Sequence, residues 1–189
     1  MFFNYVFLAV GLLWVISESF IGATKNASPD SAIIKDKGSV RLLNIVTYST
    51  ILLAFWINTL KLPRFSKPDE IASWCGIAVI LLGLAFRWCA ILKLKKYFTV
   101  NVAILDDHQL LTSGLYRYIR HPAYLGVIIA FCGMGLALGS YLAMAVLVIP
   151  VTLVFLWRIH IEEQALLAAF PESYRIYQKT SWRLIPLII

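Results

Sequence analysis

Long apolar runs alternate with short polar segments along this chain, and the spacing of the runs indicates a bundle of membrane helices. Three runs lie in the first half, at residues 2–21, 40–60 and 71–94. A helix needs about 20 mostly apolar residues to cross a bilayer, so these runs predict three spanning helices. The second run ends before Pro63, because proline cannot continue a helix and disfavours helical angles in the residue before it.

The second half of the chain contains a polar segment followed by a predicted helical hairpin. Residues 97–121 are polar by the standard of this chain and are predicted to form a loop or a re-entrant segment. Apolar residues 122–138 and 141–157 follow, and the uncharged Gly139-Ser140 step between them predicts a tight turn. Each half has about 17 residues, the short end of a spanning length, so a shallow hairpin that does not fully cross stays open.

Composition supports a membrane protein and brings the runs together into one fold class. Of 189 residues, 60% are hydrophobic and only 14% are charged, against about 25% charged in soluble domains. We therefore predict an all-α polytopic membrane protein with about five transmembrane helices. It forms a single domain over residues 1–189, with three helices in 1–96 and the loop, the hairpin and a C-terminal helix in 97–189. The three cysteines stand in apolar runs without a CxxC pair, so neither a disulfide framework nor a metal site is expected.

The positive charge is distributed unevenly between the two predicted sides of the membrane. The formal net charge is +7, and basic residues scattered between apolar runs are typical of membrane-surface anchors and not of nucleic-acid binding. Lysine and arginine are concentrated in residues 93–120 and from residue 158 onward, on the same predicted side. The positive-inside bias therefore predicts that this side and the C-terminus are cytoplasmic and that the N-terminus is outside.

Two polar clusters at the ends of the hairpin are candidates for chemistry. Residues 114–126 place two arginines, a histidine and three tyrosines against an apolar run, an arrangement that is costly in a membrane unless these groups have partners. Pro122 follows His121 and suits the first turn of a helix, where its missing N–H is not needed. Arg158 and Glu162 lie beyond the hairpin, spaced i, i+4 on one helical face. Taken alone, an interfacial ion pair would explain Arg158 and Glu162, a basic membrane-edge anchor would explain residues 120–122, and an aromatic belt would explain the tyrosines.

The ordered set of these residues resembles the isoprenylcysteine carboxyl methyltransferase family and its relatives among phospholipid methyltransferases. The resemblance extends over roughly residues 98–187. Its motifs are residues 107–116, 120–126, Arg158, Glu162-Glu163, 170–174 and Pro186. Ala123 stands where eukaryotic members often carry serine, and fewer helices are predicted than in those members. The resemblance is therefore to a minimal member of prokaryotic type.

The resemblance implies an S-adenosylmethionine site, with S-adenosylhomocysteine as the product left behind. The residues implied to bind the cofactor are His108, Gln109, Leu110, Leu111, Tyr116, His121, Pro122, Ala123, Tyr124 and Glu162. Two residues are implied to be catalytic: Arg158 would hold the acceptor and Glu162 would close the cofactor site. Aromatic faces and a carboxylate suit a cationic sulfonium cofactor, and an arginine can bind a carboxylate through two parallel hydrogen bonds.

The implied activity is carboxyl O-methylation of an isoprenylcysteine-like or other lipid-tailed acceptor. The acceptor is a small molecule or a prenylated protein. The implied partners also include membrane lipids, and the cofactor site is implied to be cytoplasmic. N-methylation of a phospholipid amine headgroup stays open, with Glu162 or Glu163 as the base. A membrane NADPH-dependent reductase also stays open. A last alternative is a scaffold without enzyme activity, in which the glycines of residues 135–139 pack helices together. No nucleic acid or metal partner is expected.

Overall fold

The computed structural model describes residues 2–25, 32–34, 38–60, 62–67, 70–105 and 109–188. Within these ranges the helices are α1 (Phe2–Thr24), α2 (Ser39–Thr59), α3 (Ile71–Leu94), α4 (Pro122–Leu138), α5 (Tyr141–Ala169) and α6 (Pro171–Thr180). Two short strands, β1 (Ala32–Ile34) and β2 (Ala103–Leu105), pair in antiparallel fashion. The predicted all-α class is confirmed, with this ribbon as a small addition that the sequence pattern did not predict.

Four helices in the described ranges are long and apolar enough to cross a membrane: α1, α2, α3 with the turn that follows it, and α5. The fifth apolar helix, α4, has 17 residues and is shorter than these. Large apolar side chains cover the outer surface, for example Leu8 at 60% exposure and Leu52 at 71%. Such a surface is stable against lipid and not against water. The prediction was about five spanning helices. The structure has four helices of spanning length in the described ranges, together with the shorter apolar helix α4.

The close packing of α3 against α4 depends on glycines. Gly76 and Gly83 on α3 face Gly133 and Gly126 on α4, in antiparallel order. A Cβ added to Gly83 would lie 2.6 Å from the carbonyl oxygen of Gly126, and one added to Gly76 would lie 2.7 Å from that of Gly133. Because both contacts are with backbone atoms that a side chain cannot displace, the helices come this close only with glycine at these positions.

The predicted hairpin between α4 and α5 is confirmed. Gly139 ends α4 in a left-handed conformation at φ 64°, and the side chain of Ser140 accepts a hydrogen bond from the amide of Ala143. Gly135 packs against Met144 of α5, so the glycines of residues 135–139 serve contacts within the chain. The helix after the turn contains Pro150 and continues beyond residue 157 to Ala169, so it includes the predicted C-terminal helical segment that follows the hairpin.

An ion pair between a buried arginine and a partly exposed glutamate connects α1 to α3 close to the start of α4. Nε of Arg87 on α3 lies 2.8 Å from Oε1 of Glu18 on α1. A second nitrogen of Arg87 donates a 3.2 Å hydrogen bond to the carbonyl oxygen of Ala123. Arg87 therefore connects three helices, one of which begins the candidate site.

The C-terminal tail passes beneath the start of α4 as an extended segment parallel to residues 118–121. The amide of Trp182 donates to the carbonyl of Tyr118 at 2.9 Å, and the amide of Arg120 donates to the carbonyl of Trp182 at 2.8 Å. The amide of His121 donates to the carbonyl of Arg183 at 3.2 Å. These three hydrogen bonds hold the residues before α4 against the end of the chain.

Candidate functional site

A cavity lies where the start of α4, the second half of α5, residues 94–104 and residues 109–111 meet. The predicted site residues that line it are Gln109, Leu110, Leu111, Tyr116, His121, Ala123, Tyr124, Arg158 and Glu162. Pro122 is buried as the first residue of α4 and does not line the cavity. His108 lies outside the described residues. The structure thus brings both predicted clusters, one on each side of the hairpin, to a single cavity.

The hydroxyl of Tyr124 connects the two charged residues that were predicted to be catalytic. It donates to Oε2 of Glu162 at 2.8 Å and accepts from Nε of Arg158 at 3.0 Å. Arg158 and Glu162 occupy one face of α5, as their spacing predicted, but they interact through this hydroxyl and not as a direct ion pair. The hydroxyl can serve both because a phenol is a donor and an acceptor at once.

Arg158 is almost fully buried, at 3% exposure, and is oriented by contacts from two other parts of the chain. One nitrogen of its guanidinium donates to the hydroxyl of Ser39, the first residue of α2, and another donates to the carbonyl of Val100. These contacts orient the guanidinium at the wall of the cavity. The contributions of Ser39 and Val100 were not anticipated from the sequence, because neither residue belongs to the motifs around the hairpin.

Aromatic rings stack in series along one wall of the cavity. The ring of His121 stacks on that of Tyr124 with centroids 5.7 Å apart, and Tyr124 stacks on Phe155 of α5 at 4.9 Å. Nδ1 of His121 lies 3.7 Å from Oε2 of Glu162. The stack fixes the plane of the Tyr124 ring and therefore the direction of its hydroxyl.

Tyr116 and Tyr177 line the cavity, and each hydroxyl donates a hydrogen bond to a backbone carbonyl. The hydroxyl of Tyr116 donates to the carbonyl of Ala90 on α3 at 3.3 Å, and the hydroxyl of Tyr177 donates to the carbonyl of Tyr116. Burial raises the pKa of Tyr116, and the nearby Glu162 carboxylate raises it further. Burial raises the pKa of Tyr177 to about 12. Both hydroxyls are therefore neutral donors at physiological pH.

Glu163 is the centre of a buried network directly behind the cavity. Its carboxylate accepts from Nε of Arg120 at 2.9 Å and from Nε of Arg183 at 3.0 Å. It also accepts from the hydroxyl of Tyr174 at 3.3 Å, and Nε2 of His121 lies 3.5 Å from it. The network connects α5 to α6, to the C-terminal tail and to the residues before α4. Glu163 therefore fixes the positions of these elements around the cavity without lining it.

Glu163 was predicted from the sequence only as an alternative base. The pair Glu162-Glu163 itself carries no signal that separates the two, because adjacent helical residues differ in direction by about 100° and either could face the cavity. Two further cavity residues, Tyr174 and Tyr177, belong to α6, which lies beyond the predicted C-terminal helical segment and was not itself predicted. Their tyrosine spacing of three residues at the start of α6 was the available signal for a shared buried face.

Comparison with known proteins places this geometry in a family. The profile of the isoprenylcysteine carboxyl methyltransferase (ICMT) family matches residues 76–168. A Schizosaccharomyces pombe protein named protein-S-isoprenylcysteine O-methyltransferase is 30% identical over 99% of this chain and 83% of its own length. A protein of the same name from Tribolium castaneum is 29% identical over 87% of this chain and 57% of its own length. These matches begin well before residue 98, where the motif resemblance began.

A solved structure described as the eukaryotic intramembrane Ras methyltransferase ICMT superposes with a TM-score of 0.65 at 32% sequence identity. The superposition covers 77% of this chain and 52% of that chain. This chain therefore spans about half the length of the solved relative.

Proposed function

The chain belongs to the isoprenylcysteine carboxyl methyltransferase family and is an integral membrane methyltransferase, and from this premise we propose its donor, its acceptor and the residues that bind them. The methyl donor is S-adenosylmethionine, and the acceptor is the carboxylate of an isoprenylcysteine-like, lipid-tailed molecule. The observation that carries the proposal is the hydrogen-bonded series from Arg158 through Tyr124 to Glu162 in one cavity, which presents a cation and an anion side by side.

The residues present fit S-adenosylmethionine by their chemistry. The donor has an adenine ring, ribose hydroxyls, an ammonium, a carboxylate and a cationic sulfonium. The cavity is lined by the aromatic side chains of Tyr97 and Phe98, by residues 109–111 and by Glu162 with its carboxylate. One oxygen of Glu162 accepts from Tyr124, and the other receives no hydrogen bond from the residues that the structure describes. That oxygen is suited to an ammonium or a hydroxyl of the donor.

Arg158 is suited to the acceptor carboxylate. A guanidinium binds carboxylates with charge-assisted hydrogen bonds, and this one is oriented by Ser39, Val100 and Tyr124 before any ligand arrives. Such preorganisation lowers the entropic cost of binding the acceptor. Glu162 stays on the other side of the Tyr124 hydroxyl, so the acceptor's negative charge is kept apart from the carboxylate that binds the donor.

Methyl transfer to a carboxylate needs alignment more than acid-base chemistry. A carboxyl group with a pKa near 4 is already ionised at neutral pH, so no residue has to remove a proton. When bound, the donor supplies a methyl group on a positively charged sulfur. The protein's part is to hold the carboxylate oxygen in line with that carbon and sulfur and to exclude water from the cavity. Arg158 positions the oxygen, while the His121, Tyr124 and Phe155 rings cover one wall.

We place the donor site on the cytoplasmic side. The donor is a water-soluble metabolite-like molecule that has to reach the cavity from an aqueous phase, whereas the acceptor's tail favours the bilayer. The basic residues around the site agree with the positive-inside bias. In a variant whose three native cysteines are replaced by serine, labelling of single cysteines introduced at Ser173 and at Asn4, from outside intact cells, tests this orientation. Reaction at Asn4 but not at Ser173 is expected.

The proposed reaction is tested with purified protein in lipid vesicles. The wild-type chain is given radiolabelled S-adenosylmethionine together with either a prenylated N-acetylcysteine or a phosphatidylethanolamine acceptor. Base-labile label on the prenylcysteine is expected, because a methyl ester hydrolyses in alkali whereas an N-methyl amine does not. Stable label on the amine lipid would instead establish N-methylation. Binding of NADPH without binding of S-adenosylmethionine would indicate a reductase.

The division of roles between the two charged residues is tested by separate variants. Arg158→Gln is expected to abolish transfer while the dissociation constant of S-adenosylmethionine changes by no more than a few fold. Glu162→Gln is expected to weaken donor binding first. Arg117→Gln, an exposed change that lines neither wall, is the control for net charge. Equal loss of donor binding in both site variants would contradict the assignment of separate roles.

A further inference from the structure

A second cavity lies on the outer surface of α2, next to the candidate site. Its lining consists of Gly38, Val40, Arg41, Asn44, Ile45, Tyr48 and Asn101. We refer to it as the α2 groove. Arg41, Asn44 and Tyr48 are spaced i, i+3 and i+7 and therefore share one face of the helix. All three are exposed. Arg41 is the single charged side chain among the described residues of this lining.

Two observations join the α2 groove to the candidate site. Asn101 lines both cavities. Ser39, which stands between the groove residues Gly38 and Val40, accepts a hydrogen bond from Arg158 at the wall of the candidate site. The two cavities are thus separated by little more than the side chain of Ser39 and the backbone of residues 100–101.

The two arginines differ in their availability to a ligand. The guanidinium of Arg158 is buried and is engaged by Ser39, Val100 and Tyr124. Arg41 is exposed and forms no hydrogen bond or ion pair with any residue that the structure describes. An anion that approaches from the membrane surface therefore meets Arg41 first. No acidic side chain lines the groove in the described part of the chain, so nothing there opposes its approach.

The groove also has a gradient from charged to apolar along the helix. Arg41 stands in the first turn of a helix that is long and apolar enough to span, and Ile45 and Tyr48 follow one and two turns further along it. Ile45 is 54% and Tyr48 is 65% exposed. A molecule with an anionic end at the surface and an apolar chain in the bilayer is complementary to this order.

From these observations we propose that the α2 groove is a docking site for the carboxylate end of the acceptor, and that Arg41 selects acceptors with a free carboxylate before they reach Arg158. This proposal rests on the proposed function. It assigns to Arg41 a role in specificity, since an arginine that pairs with the carboxylate favours the substrate over its methyl ester, which has no negative charge.

The test pairs a change in the protein with a change in the ligand. Arg41→Gln, Arg41→Lys and the control Arg175→Gln, an exposed change on α6 outside both cavities, are compared with the wild type in phosphatidylcholine vesicles. The ligands are a prenylated N-acetylcysteine as substrate and its carboxamide as competitive inhibitor. Arg41→Gln is expected to raise the KM for the carboxylate about tenfold, as loss of one charge-assisted pair does, with kcat unchanged. Arg41→Lys is expected to recover part of the loss.

Several results would overturn the proposal. One is an unchanged KM in Arg41→Gln, and another is an equal loss of affinity for the carboxylate and the carboxamide. A third is a dependence on Arg41 that arises only when phosphatidylserine is added to the vesicles, which would make the groove a phospholipid site. If the wild type binds S-adenosylmethionine but methylates no prenylcysteine, the proposed acceptor is wrong and the docking proposal fails with it. A normal wild type with an unaffected Arg41→Gln removes the docking proposal alone.

Discussion

The hydroxyl of Tyr124 donates a 2.8 Å hydrogen bond to Oε2 of Glu162, across the interface between α4 and α5. Because Tyr124 stands in the first turn of α4 and Glu162 in the second half of α5, this bond closes the open end of the hairpin. The hydroxyl oxygen of Tyr124 also accepts a hydrogen bond from Nε of Arg158. A single phenol therefore orients both the residue proposed to bind the donor and the residue proposed to bind the acceptor.

Tyr124→Phe tests this connection while keeping the ring in its stack. Loss of hydrogen bonds to two charged partners, each worth about 1.5–3 kcal/mol, is expected to lower kcat/KM by about a hundredfold or more. Initial rates with both substrates varied measure the effect. Tyr118→Phe is the control, since this tyrosine is 56% exposed and lies outside the cavity. Equal rates in the wild type and Tyr124→Phe would show that the hydroxyl does not orient either partner.

The helix positions were predictable because a helix that crosses a bilayer needs a run of about 20 apolar residues, which is visible in the sequence. The hairpin also let the sequence place Tyr124 near Arg158 and Glu162, since two antiparallel helices with a short turn must bring their open ends together. This inference needed no side-chain detail. It depended only on Pro122 as the start of one helix and on the uncharged turn at its other end.

The role of Glu163 was not predictable for the opposite reason. Its partners Arg120 and Arg183 are 43 and 20 residues away in sequence, and the second belongs to a tail whose extended pairing has no local pattern. Likewise, the Ser39 contact to Arg158 joins residues 119 positions apart. Contacts of this kind follow from how the helices are arranged in three dimensions, which periodicity in the sequence does not specify.

Glu163→Gln is expected to destabilise the fold more than it affects donor contacts. The change leaves the buried Arg120 facing a neutral amide, and removal of one partner from a buried pair costs about 3–5 kcal/mol. The Arg183 side chain is 44% exposed, so its pair with Glu163 contributes less. A lower thermal unfolding midpoint in detergent and faster proteolysis of the C-terminal tail are the measurements. Glu172→Gln, an exposed change in the first turn of α6, should have little effect. A midpoint shift no larger than that of Glu172→Gln would contradict the buried network.

Gly126→Ala is expected to destabilise the packing of α3 against α4. The added Cβ would lie 2.7 Å from the backbone nitrogen of Arg87 and 2.7 Å from the carbonyl oxygen of Gly83, so the helices have to separate. Overpacking of this kind costs about 1–3 kcal/mol. In Gly11→Ala the Cβ meets no atom within 4 Å, and alanine favours a helix by about 1 kcal/mol over glycine. The thermal unfolding midpoint is therefore expected to fall in Gly126→Ala and to rise in Gly11→Ala, relative to the wild type. Equal shifts in the two variants would be inconsistent with the close approach of α3 and α4.

Tyr177 is expected to make the stability of the fold fall at alkaline pH. Burial raises its pKa from 10.0 to about 12, so between these values the unfolded chain loses the proton while the folded chain keeps it. The stabilisation is therefore complete below pH 10 and is lost as the pH rises towards about 12. Ionisation also removes the hydrogen bond from this hydroxyl to the carbonyl of Tyr116. The unfolding midpoint of the wild type, measured from neutral pH upward, should decline above pH 10. Tyr177→Phe should lower the midpoint at neutral pH and should show a smaller decline above pH 10. The same slope in Tyr177→Phe as in Tyr118→Phe would assign the decline to other groups.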